Sequence, residues 1–505
     1  MIRRSLAILA CIGAAHIAAG ATASEVAVTG GTIRGQEMPD GTSLYLGIPY
    51  AAPPVGDLRW KPAQPVIPWQ GTRDATQPPA PCLQHDEGWN KKDVDLSRED
   101  CLYLSIRSPK LPARERFPVL FWIHGGSNRA GSGFGYARDT TIAQRAVLLV
   151  SIEYRLGVFG FLGLPELTAE SSQHSSGNYA LTDQIAALQW VQANIAKFGG
   201  DPGNVTIAGQ SAGSADVLLL MASPLTKGLF TKAINESGVP GPSRTAAENE
   251  KIGSRLLELM HLPTGNAGLA ALRASPAAVV LSTSDKLEPP PGTDPALIWM
   301  SQILDGWVET LPLRDVYAQH RQAHVPMIIG NNTREINPGM SPEEAHARVR
   351  QALGPQADDL LQLYGDSNAS HGGDRVLGDV GTRFMTDLVF RCPASQVTNQ
   401  MLSAGAKVWR YEFGFPRTGT RGPVEHSSEL NYVFNAAPSD ATFETWPPVQ
   451  QYWANFARTG NPNGPGLPTW PDIGQSRSYM AFLPSGPEVD KSSSGGPCKI
   501  LARLQ

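Results

Sequence analysis

The chain has 505 residues, 41% hydrophobic and 17% charged. This is an ordinary globular balance that supplies a large core and argues against a disordered chain. Its formal net charge of −4 over so long a chain points away from nucleic acid and from an anionic membrane surface as partners.

In chain order, residues 1–24 read as an export signal. A basic start (Arg3, Arg4) precedes an Ala-rich apolar run, and small residues near Ala23 and Ser24 suit cleavage. A membrane anchor fits less well, because the run is short and contains His16. A lipoprotein site at Cys11 and twin-arginine export are weaker readings still. Beyond residue 24 no apolar run is long enough to cross a bilayer. Residues 25–505 contain no clean linker and no internal repeat. They are therefore expected to form one soluble domain, exported to the periplasm or secreted. The cysteines left after Cys11 are Cys82, Cys101, Cys392 and Cys498. In an oxidising compartment disulfides are expected, and the residues alone leave all three pairings open.

Short β-branched apolar runs at Val119–Ile123, Ala146–Tyr154, Val205–Gly209 and Val325–Gly330 predict parallel strands buried on both faces. Lys407–Phe413 alternates more and predicts a late strand. Between them, Leu181, Ile185, Leu188 and Ile195 share a helical face, and Gly199-Gly200 ends that helix. A second apolar helix follows Ser211. The region from about 248 to 367 is more helical, with room for an insertion over the sheet. Strands alternating with helices predict an α/β fold.

Gly209-Gln210-Ser211-Ala212-Gly213 fits the Gly-x-Ser-x-Gly elbow that lifts a nucleophilic serine out of a strand–helix turn. The strand before it and the helix after it supply the required context. An ordinary Gly/Ser turn is the bland alternative. A second Gly-rich loop, Gly125-Gly126-Ser127, follows the strand at Val119–Ile123. Ester hydrolysis places negative charge on a carbonyl oxygen, which preformed N–H groups must meet. Gly126 and Ser127 are the candidate donors, together with Ala212 after the serine. A phosphate loop is disfavoured, since the Gly-x-x-x-x-Gly-Lys-Ser/Thr pattern is absent. No His/Cys/Asp cluster has metal-ligand spacing, so neither metal nor cofactor is called for.

At this point the chain resembles the type-B carboxylesterases, the α/β-hydrolase group that includes cholinesterases and many bacterial esterases. The matching stretches include YLGIPYAAPPVGDLRWKPAQPV, EDCLYLSI, FWIHGGS, EYRLGVFGFL, GNYALTDQIAALQWVQANIAKFGGDPGNVTIAGQSAG, AINESG and FARTGNPNGPGLPTWP, in family order from about residue 45 to Pro471. The resemblance implies an α/β-hydrolase fold: a large, mostly parallel sheet flanked by helices, with helical insertions over the active site. It implies a serine esterase acting on a small-molecule ester through an acyl-enzyme. Glu335 in GNNTREIN matches the family's acid, although Arg334 and Ile336 depart from its pattern. Asp305 matches a structural Asp-Gly. His426 in EHSSELNYVFN matches the base, and His124 matches a structural position. The order Ser211, Glu335, His426 is that of α/β-hydrolases. The resemblance also pairs Cys82 with Cys101 and Cys392 with Cys498.

Gln210 stands where many relatives have Glu, which weakens a cationic-ester reading. Trp89 falls in the early disulfide loop and is expected to offer an aromatic surface lining the gorge. Asn128 and Arg129 are expected either to meet a polar or acidic acyl group or to face solvent. The rival functions are an amide or carbamate hydrolase, a true lipase, an esterase for a bulky natural product, and a non-catalytic binding protein.

Overall fold

Apolar runs rich in β-branched and aromatic residues become the central strands of an eleven-stranded mixed sheet. A computed structural model describes residues 25–110, 115–289, 300–365, 376–416, 422–490, 495–502 and 504; the expected signal segment lies outside them. The strands are β1 (Gln36–Glu37), β2 (Ser43–Pro49), β3 (Tyr103–Ser108), β4 (Phe117–Ile123), β5 (Leu148–Ile152) and β6 (Gly200–Gln210), followed by β7 (Lys232–Glu236), β8 (Met327–Asn332), β9 (Val408–Phe413), β10 (Tyr479–Leu483) and β11 (Gly486–Asp490). Their spatial order is β11-β10-β9-β8-β7-β6-β4-β5-β3-β2-β1. From β10 across to β5 every neighbouring pair is parallel. Antiparallel strands finish both edges.

Both faces of the central strands are covered, as their continuous apolar runs require. Val119, Phe121 and Ile123 enter one core cluster and Leu120 and Trp122 the other. The first cluster holds the helices α1 (Tyr179–Asn194) and α2 (Ala212–Ala222). The second holds α3 (Val449–Thr459), whose Tyr452, Trp453 and Phe456 pack beside Trp409 and Trp470. Helices Ala246–Leu259, Gly265–Ala274 and Ala277–Ser284 send Leu256, Leu272 and Val280 into the first cluster. The helices between 246 and 284 therefore pack on the α1/α2 side, whereas Pro342–Leu353 and Ala357–Leu363, after β8, form a separate cluster in which Val349 and Leu360 meet Phe384 and Leu501. Among the described residues no helix is long and apolar enough to cross a membrane.

Details differ from the sequence expectation for physical reasons. The strand expected at Val325–Gly330 runs instead over Met327–Asn332. Pro326 has no N–H to give to the ladder, and Asn331 and Asn332 continue pairing with Glu412 and Phe413. The late strand β9 is buried on both faces because it lies between β8 and β10, and even Arg410 is enclosed. Helix α1 ends as expected: a short 3-10 turn leads to Gly199 at φ 83°, a left-handed position that suits glycine. Its apolar stripe, however, is not its only buried face. Asp183 is fully enclosed, and both of its oxygens are held by the Arg155 guanidinium at 2.6 and 2.8 Å. Such a pair is tolerated in a core only while both partners remain.

Cys82 is bonded to Cys101, and Cys392 to Cys498, the pairing expected from the resemblance. The second bridge ties together residues 106 positions apart, so it restrains a long loop in the unfolded chain.

Candidate active site

Strands β4, β6, β8 and β9 are near neighbours in the parallel part of the sheet and point the same way. The loops leaving their carboxyl ends therefore converge, the usual place for a site in such sheets. In β4 and β6, Ile123 pairs with Gly209. This register sets the Gly-rich loop beside the serine elbow.

At the elbow Ser211 adopts φ 56°, ψ −124°, a backbone state that a non-glycine residue rarely holds without a surrounding structure to enforce it. Its N–H donates to Glu236 O at 2.8 Å. A Cβ at Gly213 would lie 2.2 Å from Ile123 O, and one at Gly209 would lie 2.4 Å from Gly213 O. Both glycines are thus required by close backbone approach, which accounts for the Gly-x-Ser-x-Gly spacing.

The facing loop is equally constrained. Gly126 sits at φ 117°, where a Cβ would lie 2.1 Å from Ala130 O. Ser127 and Asn128 also have positive φ. The N–H groups of Gly126, Ser127 and Ala212 have no acceptor among the described residues. Glu153, which the sequence reading missed, anchors the far end of this loop: one of its oxygens accepts from Ser132 Oγ and from the N–H of Gly133 and Phe134. Tyr154 OH adds a 2.7 Å bond to His124 O. His124 itself is buried, its ring stacked on Tyr154 at 4.5 Å, and burial pushes its imidazole down to about 4. It supports the loop as a neutral side chain.

His426 Nδ1 lies 2.6 Å from Glu335 Oε2, and the His426 N–H donates to Glu335 O at 3.0 Å. The Glu335 side chain is fully buried, whereas the imidazole keeps 21% exposure. Asn332 N–H donates to the other Glu335 oxygen at 2.7 Å. Burial alone would lower the His426 pKa. The charge and hydrogen bond of Glu335, with Glu429 behind, outweigh it and raise the group above its usual value. Ile336 is exposed, so the departure of its neighbours from the family pattern leaves Glu335 facing inward. Glu429 is the further missed residue: Asn332 Nδ2 donates to it at 2.8 Å, and burial raises its pKa. Its only sequence signal was the His-x-x-Glu spacing. Asp305 is committed elsewhere. One of its oxygens accepts from the N–H groups of Trp307, Val308 and Glu309, and the other from Ser175.

The four candidate pocket residues divide. Asn128 is 2% exposed; its amide donates to Asp216 Oδ1 at 3.2 Å and accepts from Tyr154 OH. It ties the Gly-rich loop to α2 and presents no amide to a substrate, because Asp216 and Tyr154 engage both ends of the amide. Arg129 is held by Glu87 at 3.2 Å and Asp285 at 3.6 Å, so its charge is already paired. Trp89 is 64% exposed and stands on the surface, not in an enclosed gorge. The short disulfide loop is pinned from inside by Asn90, whose side chain bonds Glu87 N, Gln84 and His85 O, leaving its neighbour outward. Gln210 is buried, with its amide nitrogen 3.1 Å from His426 Nε2.

A mostly parallel sheet with a serine elbow and a Gly-rich loop at its carboxyl edge defines an α/β-hydrolase, and solved esterases share this fold. It superposes on a PNB esterase with TM-score 0.79 and 29% identity, covering 95% of this chain and 100% of that one. A thermophylic PNB esterase gives TM-score 0.80 at 29% identity, with coverage of 95% and 100%. Residues 22–500 match the carboxylesterase family, and the chain belongs to that family. It is 34% identical over 472 residues to the fumonisin B1 esterase of Sphingopyxis macrogoltabida, spanning 87% of this chain and 83% of that relative. It is 32% identical over 485 residues to liver carboxylesterase 1F of Rattus norvegicus, spanning 87% and 85%. The protein is a carboxylic ester hydrolase.

Proposed function

We propose that hydrolysis proceeds through an acyl-enzyme on Ser211, with His426 as base and Glu335 as its acid partner. The observation that carries this reading is the 2.6 Å His426–Glu335 bond at the edge of the sheet where the strained Ser211 turn lies. His426 Nε2 takes the Ser211 proton as the oxygen attacks the ester carbonyl. Glu335 holds the Nδ1–H tautomer and stabilises the imidazolium. The free N–H groups of Gly126, Ser127 and Ala212 meet the oxyanion. The imidazolium returns its proton to the leaving alcohol. Water, activated by the same base, then releases the acid. A fluorophosphonate should inactivate the enzyme stoichiometrically, with loss of fluoride and the phosphonyl group recovered on the Ser211 peptide. Inactivation with the label on another residue would reject the reading.

The acyl side is read as neutral. Arg129 is the basic residue of the Gly-rich loop, and Glu87 and Asp285 engage it. Arg129→Ala should therefore change KM for a neutral ester and for a succinate hemiester by the same factor, within about twofold, as for other part-exposed ion pairs. A tenfold rise confined to the anionic ester would point instead to an acidic acyl group met by Arg129. The two disulfides support reading the chain as exported, since such bonds persist in oxidising compartments.

A further inference from the structure

The Glu335 carboxylate only accepts hydrogen bonds, so the proton of the 2.6 Å contact sits on His426 Nδ1. Nε2 is then the lone-pair nitrogen, the one that must receive a proton from Ser211. In this structure Nε2 has a partner other than the serine: the side-chain nitrogen of Gln210, at 3.1 Å. The Gln210 amide oxygen is turned the opposite way, toward the Gly-rich loop, where a Cβ at Gly125 would lie 2.9 Å from it. The amide N–H is thus the atom that faces the ring, and it donates into the lone pair. Gln210 is 3% exposed, and its backbone is fixed by pairing with Glu236 at the end of β6. It is also the residue before Ser211, so the nucleophile and this donor sit on one rigid turn.

We infer that Gln210 is a positioning residue for His426: its amide N–H holds Nε2 in the resting enzyme, and each turnover begins by exchanging that donor for the Ser211 hydroxyl. The inference rests on the reading of His426 as base. The contact favours the neutral imidazole. In the imidazolium, Nε2 carries its own hydrogen, which would face the amide hydrogens, and the bond is lost. A hydrogen bond to the neutral form of a base lowers its pKa. Gln210 therefore works against Glu335 and Glu429, the charged groups that favour the imidazolium. It keeps the base in its active form toward lower pH. A Glu at this position would reverse the sign, since a carboxylate offers Nε2 an acceptor and a negative charge.

The test is the acid limb of kcat/KM against pH for the wild type, Gln210→Met and Gln210→Glu, with His426→Ala as control. Gln210→Met has similar length and no donor; its limb should move up by about half to one pH unit, the worth of one neutral hydrogen bond. Gln210→Glu should move it further, by about one to two units, as a close carboxylate does. The imidazole nitrogen resonances of His426 in each folded variant should shift their midpoint by the same amount, which a purely structural residue would not cause. If both variants titrate with the wild type, the inference is wrong. If His426→Ala keeps wild-type rates, the assignment of the base has failed instead.

Discussion

Ser211→Ala is expected to lower kcat by about a millionfold, the loss serine hydrolases suffer when the nucleophile is removed and its partners have nothing to act on. KM should change little, because the hydroxyl contributes bond formation and little ground-state binding. The fold should persist. Ala at φ 56° carries the same backbone strain as Ser at that position, and the close backbone approach at Gly209 and Gly213 that enforces the turn remains. Steady-state rates on a neutral p-nitrophenyl ester, with a thermal melt alongside, check both statements. A loss under a hundredfold would mean that another nucleophile does the chemistry.

Glu335→Gln should lower kcat by about ten-thousandfold, the scale seen when a triad acid becomes its amide. The reason is specific to the hydrogen bonds here. One Glu335 oxygen accepts from Asn332 N–H and the other from His426 Nδ1. A glutamine has only one oxygen, and the buried Asn332 N–H is a fixed donor that claims it. The amide NH2 then faces Nδ1 and moves the ring proton to Nε2, so the lone pair lies on Nδ1 and Nε2 has none to take the Ser211 proton. Stability should be preserved or raised, since a neutral side chain relieves the repulsion of Glu335 on buried Glu429. A kcat within tenfold of wild type would show that Glu335 does not set the tautomer.

The sequence made the elbow and the Gly-rich loop legible because close backbone approach leaves a glycine signature. At Gly209, Gly213 and Gly126 an added Cβ would come within 2.5 Å of a backbone oxygen, so each must be glycine. The strands were legible from apolar runs covered on both faces. Glu335 and His426 were not legible from spacing. They lie on loops after β8 and β9, and only strand order in space brings them together; the family resemblance supplied them. The directions of individual side chains were beyond the sequence altogether. Asn128 and Arg129 are adjacent, yet Asp216 and Tyr154 hold one amide in the interior, while the other side chain reaches Glu87 and Asp285. Trp89 stands outside because Asn90 pins the loop from within. Asp183 is buried in a helix whose stripe omits it because Arg155 accompanies it into the core. These are pairings between residues far apart in the chain, which periodicity does not encode.

The most direct test of the account is a rapid-quench measurement on a p-nitrophenyl ester whose deacylation is slow. The acyl-enzyme reading predicts a burst of p-nitrophenol close to one equivalent per active enzyme, with the acyl group on the Ser211 peptide and no burst in Ser211→Ala. A wild-type enzyme that turns over with no burst and no acyl group on Ser211, even when the ester is chosen so that deacylation limits the rate, would contradict it.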